Sequence, residues 1–329
     1  MFKAIVAISV LAASQVCFGG VIGFTACCAG SSITYSPITV PGAIDTFVLG
    51  INDLGAIVGV YNSATPGGHG FLYSGGAFTL LDYPGALGTY VSGINDAGQI
   101  VGIYYDQSEA DHGFVYSNGT YTPLNVPGAS TAAFGINNSG QIVGYYYFGN
   151  NLNSAQGFLF SSGSFSYFTF PSSTFTYPSG INESGQIVGN YGAPNAGGAF
   201  LYSGGTFTQL EYPSATVEFT YAYGINDAGQ IVGQYGDSTG GYGFIDTNGA
   251  FVSLAYPGAA ATLATGINDD GEIAGYYYPV SVSTSTPEPS TWLMTGLGLI
   301  AVIGPKYCSL GRFQLIGFRL AQPGTTPPG

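Results

Sequence analysis

The phrase Gly-Ile-Asn-Asp-Ala-Gly-Gln-Ile-Val-Gly runs from Gly93 to Gly102 and again from Gly224 to Gly233, and looser copies begin at Gly50, Gly135, Gly180 and Gly266. The six starts lie 43, 42, 45, 44 and 42 residues apart. A period this regular means one supersecondary unit repeated along the chain, so the fold has to be built from equal modules that bury their faces against one another.

Each repeat reads as four short strands. The first is the run into Gly-Ile-Asn, as in Thr89 to Ile94, and the second is the Gln-Ile-Val-Gly run, as in Gln99 to Tyr105. The third is Gly-Phe-x-Tyr-Ser-x-Gly, as from Gly70 and from Gly113, and the fourth is an alternating run ending in Tyr-Pro-Gly, as in Phe78 to Gly85 and Phe251 to Gly258. Alternation bounded by Gly, Asn and Pro is the signature of strands, and a terminal Pro suits an outer one.

The ends of the array decide its closure. The last Gly-Ile-Asn unit, Gly266 to Tyr278, has no third and fourth runs after it, while Gly23-Phe24 and Val40-Pro41-Gly42 stand before the first unit. Splitting one unit between the two termini ties the last member of a ring to its first, whereas an open solenoid needs capping repeats. The expectation is therefore an all-β, six-bladed β-propeller with four-stranded blades, its sixth blade closed by N-terminal strands. The stretch from Gly23 to Pro41 is longer than its counterparts, with Cys27 and Cys28 inside the insertion.

Charge narrows the partners. The only cations are Lys3, Lys306, Arg312 and Arg319, all outside the repeats, against 17 Asp and Glu and a net charge of -13. Such a body offers no basic patch for phosphate, which excludes nucleic acid and disfavours strongly anionic polymers. Neutral extracellular polysaccharide remains as a partner. The four cysteines form no disulfide framework, because Cys27 and Cys28 are adjacent.

Outside the repeats, residues 1–20 have the form of a signal peptide: Lys3, an apolar core from Ala4 to Ala13, then small residues. Residues 21–280 hold the propeller, 281–286 are a Ser/Thr linker, and 287–329 are a C-terminal segment. That segment begins Pro287-Glu288-Pro289-Ser290-Thr291-Trp292, continues in an apolar run from Leu293 to Ile303 and reaches Lys306.

This arrangement resembles a PEP-CTERM sorting signal, the tripartite C-terminal tag of exported bacterial proteins. The repeats resemble those of the HAF-repeat family of extracellular bacterial proteins, in copies such as His69-Gly70-Phe71 and Gly198-Ala199-Phe200. The tag resemblance implies an exosortase-type processing enzyme that recognises Pro287, Glu288 and Pro289, with transient inner-membrane insertion through 292–304. It also implies a final location at the cell surface or in the extracellular matrix. A plain C-terminal anchor is the alternative. Against it, the stretch 292–304 would span only about 20 Å as a helix, short of a bilayer core of about 30 Å.

Candidate site residues follow from the repeats. The Asn-Asp-x-Gly turns carry Asp53, Asp96, Glu183, Asp227 and Asp269, with Asn138 in the remaining copy. Their first reading is a hairpin turn, since Asn and Asp bond their own backbone and Gly takes positive φ. The second is an oxygen-rich Ca²⁺ site using Asp53, Asp96, Asp227 and Asp269, although no copy carries the alternating acids of a calcium loop. No other cofactor is expected. His69 and His112 have no third ligand at metal spacing, and neither an activated nucleophile nor a paired-acid motif is present, so the chain reads as non-enzymatic.

The segments between second and third strands, Tyr104 to Asp111, Tyr145 to Gln156, Tyr191 to Gly197 and Tyr235 to Tyr242, vary most. Tyr104, Tyr105, Tyr145, Tyr146 and Tyr147 are the candidates for stacking on sugar rings, against the alternative that such tyrosines pack between blades. The function expected is that of an exported, structural or adhesive repeat protein, with a lectin-like module for neutral glycan or Ca²⁺ as the alternative.

Overall fold

A computed structural model of the chain describes residues 21–29, 32–149, 151–193, 196–214 and 216–280. The expected signal peptide at 1–20, the linker at 281–286, the Pro287-Glu288-Pro289 motif and the apolar run at 292–304 lie outside the described residues. Among the described residues no helix is long and apolar enough to cross a membrane.

The regular elements of the described residues are all strands except for one 3₁₀ turn at Leu152–Ser154. It opens with β1 (Ile22–Ala29) and β2 (Ser32–Ile38). The first complete blade is β3 (Asp45–Ile51), β4 (Ile57–Asn62), β5 (Gly68–Ser74) and β6 (Ala77–Leu81). The second is β7 (Gly88–Ile94), β8 (Ile100–Tyr105), β9 (Asp111–Ser117) and β10 (Thr120–Leu124). The third is β11 (Ser130–Ile136), β12 (Ile142–Tyr147), β13 (Gln156–Ser161) and β14 (Ser164–Phe168). The fourth is β15 (Phe175–Ile181), β16 (Ile187–Ala193), β17 (Ala196–Ser203) and β18 (Thr206–Leu210). The last six strands are β19 (Phe219–Ile225), β20 (Gln230–Asp237), β21 (Gly240–Thr247), β22 (Ala250–Leu254), β23 (Ala259–Ile267) and β24 (Ile273–Pro279).

In place of six separate sheets there are four sheets of four strands and one of eight. The eight-stranded sheet consists of two antiparallel sets, β19–β22 and β23-β24-β1-β2, joined by a single parallel pair, Gly241 with Ala261. The cause is local. Gly241 has no side chain, and a methyl placed on it would lie 3.4 Å from the Ala261 Cβ, so the two backbones approach closely. The N-terminal strands do join the C-terminal unit: β1 pairs antiparallel with β24, Ile22 opposite Tyr277 through Ala26 opposite Ile273. The long segment before Pro41 is taken up by extending the β1–β2 hairpin to strands of eight and seven residues.

Burial follows strand order. β4 and β12 are buried at every position, because a second strand is covered on both faces, while outer strands such as β6 and β10 are mostly exposed and end on one buried leucine, Leu81 or Leu124. The apolar cores lie between sheets. Val58 and Leu81 of the first blade pack on Val91, Ile100 and Phe114 of the second. Ala274 and Ile38 pack on Val48, Ile57 and Phe71, which brings the last set against the first blade and closes the ring.

Two glycines per repeat make the close approach possible. The residue at Gly50, Gly93, Gly135, Gly180, Gly224 and Gly266 meets its counterpart in the next unit: a methyl on any of them would lie 3.0–3.5 Å from the Cα of the next, with Gly266 returning to Gly50. The last glycine of Gln-Ile-Val-Gly faces the carbonyl of the first strand across a β-bulge. There a Cβ on Gly102 would lie 2.2 Å from the Tyr90 oxygen, and on Gly233 1.9 Å from that of Tyr221. Only hydrogen fits at that distance.

Candidate functional site

The six Asn-Asp-x-Gly turns converge on the ring axis. Each closes its own hairpin, as where Gly55 donates its N–H to the Asn52 carbonyl (3.1 Å) and Ala56 donates to Asn52 Oδ1 (2.8 Å). The turn glycine takes positive φ, 71° at Gly55. The Nδ2 of each turn asparagine then donates to the backbone carbonyl of the next: Asn52 to Asn95 (3.0 Å), Asn95 to Asn137, Asn137 to Asn182, Asn182 to Asn226, Asn226 to Asn268, and Asn268 back to Asn52 (3.2 Å). These asparagines are 3–6% exposed, so every amide is paired where leaving it unpaired costs most.

A second ring runs beside the first. The N–H of Asp53 donates to Asp96 Oδ1 (3.0 Å), that of Asp96 to Asn138 Oδ1 (2.8 Å), and that of Asn138 to Glu183 Oε1. Glu183 donates to Asp227, Asp227 to Asp269 and Asp269 back to Asp53, each at 2.8 Å. The structure thus gathers Asp53, Asp96, Asp227 and Asp269 around a cavity of about 80 Å³ at the axis. Each nevertheless has one carboxylate oxygen engaged by a neighbour's N–H. Among the described residues no group of three or more His, Cys, Asp or Glu is arranged to hold a metal ion. Burial and the nearby carboxylates of Asp269 and Asp96 raise the Asp53 carboxyl, and the Asp269 N–H opposes the rise.

The tyrosines named as sugar platforms are placed differently from expectation. Tyr145, Tyr146 and Tyr147 belong to β12 and are 2%, 8% and 7% exposed. Tyr145 packs on Tyr177 and Phe134, the Tyr146 hydroxyl donates to Gln156 (2.8 Å), and that of Tyr147 to Asp111 (2.7 Å). A second strand is covered on both faces, so these rings fill interfaces and present no flat face to solvent. Half-buried Tyr105 sits edge-on to Tyr90. Tyr104 is stacked between Tyr83 (3.7 Å, 9°) and His112 (5.0 Å, 21°), and burial, with the Tyr83 hydroxyl and nearby Asp106, pushes its hydroxyl up to about 12. The Tyr83–Tyr104 stack recurs as Phe170–Tyr191, Tyr212–Tyr235 and Tyr256–Tyr277, all at 3.6–3.7 Å. The ring at the end of one repeat's Tyr-Pro or Phe-Pro run therefore seats on the second strand of the next.

The two histidines pair with carboxylates at the surface, His69 with Asp82 (3.1 Å) and His112 with Asp106 (2.9 Å). Ser108 Oγ also donates to Asp106 (2.6 Å), and this hydroxyl, followed by His112, lowers the Asp106 carboxyl. The carboxylate stands between serine and histidine, so the imidazole is not placed to take the hydroxyl proton as a nucleophile's base must.

A larger cavity, of about 320 Å³, lies between the fourth blade and the β19–β22 set, with Asp246 in its wall. Neither the amide ring nor Asp246 was singled out from the sequence, although signals for both are visible there. Asn is constant in all six Gly-Ile-Asn copies while the residue after it varies, and Gly243-Phe244-Ile245-Asp246 replaces an aromatic residue of the third run with an acid.

No family model matches the chain, and no curated protein does. Solved structures do. A structure described as TolB from Agrobacterium tumefaciens superposes with a TM-score of 0.56 at 12% identity, over 80% of this chain and 100% of that one. TolB from Acinetobacter baumannii gives 0.52 at 17% identity, over 71% of this chain and 63% of that one. The SapL1 lectin in complex with alpha methyl fucoside gives 0.49 at 12% identity, over 74% and 99%. At these identities the two TolB likenesses show the fold alone: the chain is an all-β propeller with four-stranded blades.

Proposed function

We propose that this chain is an exported, non-catalytic six-bladed propeller of the bacterial cell surface or extracellular matrix, with a structural or adhesive role. The count of six takes the eight-stranded sheet as two blades, β19–β22 and β23-β24-β1-β2, which a single residue pair joins. The observation that carries the structural reading is the closed amide ring. The asparagine that recurs in every repeat is engaged with its own turn and the next unit, so this repeated residue serves assembly of the ring.

Export and surface location rest on the leader at residues 1–20 and on Pro287-Glu288-Pro289 before the apolar run, with an exosortase-type enzyme as processing partner. The test is intact mass and cell fractionation in an exosortase-bearing host, comparing the natural chain with Glu288→Ala. Loss of the tail near residue 287 and release to the surface fraction are expected for the natural chain only. A full-length tail in both would leave a membrane-tethered propeller. A second reading, contact with neutral polysaccharide, is favoured by the cavity beside Asp246.

A further inference from the structure

In four of the blades, the third strand carries an aromatic residue that fills the outer part of the interface with the preceding unit. These are Tyr73, Tyr116, Phe160 and Tyr202, each against a ring on the fourth strand: Phe78 (4.6 Å), Tyr121 (4.8 Å), Phe165 (4.9 Å) and Phe207 (4.6 Å). In the β19–β22 set the equivalent pair is Asp246 opposite Phe251. A whole ring is missing there, and the cavity of about 320 Å³ opens at that interface.

We infer that this cavity is a binding site for one ring of a neutral sugar, with Asp246 accepting hydrogen bonds from vicinal hydroxyls. The inference takes its ligand class from the glycan-contact reading, but its location from the repeat and the cavity.

The residue chemistry fits such a ligand. Asp246 is only 5% exposed. Its Oδ1 accepts the Gly249 N–H at 2.7 Å, and the residue lines the cavity. A buried carboxylate with one backbone donor has remaining acceptor capacity, and hydroxyl donors satisfy it by short charge-assisted bonds. Burial raises the Asp246 carboxyl, as expected of an under-solvated acid. Around it, Leu201, Leu210, Ile231 and Phe251 supply apolar wall for the C–H faces of a pyranose, while Gln209, Glu211 and Asn248 bring amide and carboxylate groups. Sites of this kind combine apolar lining with a few fixed polar groups and measure roughly 300–1,000 Å³. This cavity is at the low end, about the size for one sugar unit. Two carboxylates and no cation exclude an anionic sugar.

The test titrates the purified full-length chain with methyl glucoside, methyl galactoside, methyl mannoside and, as a protonated amine, methyl glucosaminide. Ligand-observed NMR supplies the readout. Asp246→Tyr restores the ring found in four other blades and so is expected to fold. Tyr116→Phe serves as the unaffected control. Saturable binding of at least one neutral glycoside, weakened at least tenfold by Asp246→Tyr and unchanged in Tyr116→Phe, is the expected result. Neutral-glycoside binding that Asp246→Tyr leaves intact would sink this site and leave the glycan-contact reading standing. Saturable binding of the glucosaminide alone would overturn the neutral class, and no binding by the folded chain would overturn both the site and that reading.

Discussion

The interface entered by Tyr116 and the one entered by Asp246 are built on the same frame and finished differently. In both, a Gly-Phe strand lies over the preceding unit, Phe114 or Phe244 is fully buried, and a two-residue turn, Asn118-Gly119 or Asn248-Gly249, returns the chain with both residues at positive φ. In the first, Tyr116 and Tyr121 complete the packing; in the second, Asp246 leaves a cavity. Assembly at the axis is therefore insensitive to what fills the periphery. Six glycines and six asparagines close the ring, and the outer interfaces are free to diverge.

That comparison can be broken at the axis. Gly102→Ala and Gly233→Ala place a methyl within 2.2 Å and 1.9 Å of a first-strand carbonyl in the two units. Each should lose at least about 4 kcal/mol, the range of severe backbone and packing lesions. Urea unfolding of the two variants should give similar losses; a mild effect in either would mean that the bulge is not the shared frame.

Exchanging the outer residues sharpens the comparison. Tyr116→Asp removes a packed ring and leaves a carboxylate among apolar groups, which should lower stability by about 3–5 kcal/mol. The reverse change, Asp246→Tyr, should raise it by about 0.5–2 kcal/mol as cavity filling does. Thermal melts of both would check the opposite signs, and destabilisation by Asp246→Tyr would show that the β19–β22 interface cannot accept a ring.

The smallest effect is in pH dependence. Burial beside Tyr116, and near Asp82, pushes the Tyr121 hydroxyl up from 10.0 to about 12. A raised folded value means stability that is present below pH 10 and lost as pH rises towards 12. Burial also raises Asp246 above 3.8, so its contribution is present below that pH and falls as pH rises through the raised value. Tyr121→Phe should therefore flatten the stability profile between pH 10 and 12, and Asp246→Asn should flatten it only on the acid side. Denaturation midpoints across pH 3–12 would read both.

The repeat period, the four runs per repeat and the unit split between Gly266–Tyr278 and Gly23–Gly42 were all legible as residues, because strand alternation and Gly/Asn/Pro punctuation are local properties of the chain. So was the hairpin reading of Asn-Asp-x-Gly, since side-chain-to-backbone bonds within four residues depend only on near neighbours. Three things were decided by the tertiary structure. The turn amides reach the next unit about 43 residues away, so their ring exists only once the propeller closes. Tyr145, Tyr146 and Tyr147 read as loop residues, yet they fall within β12, where coverage on both faces takes their rings out of solvent. Asp246 carries no local signal of its own; only the ring missing opposite Phe251, and the space it leaves against Leu201 and Leu210, puts that carboxylate in the wall of a cavity.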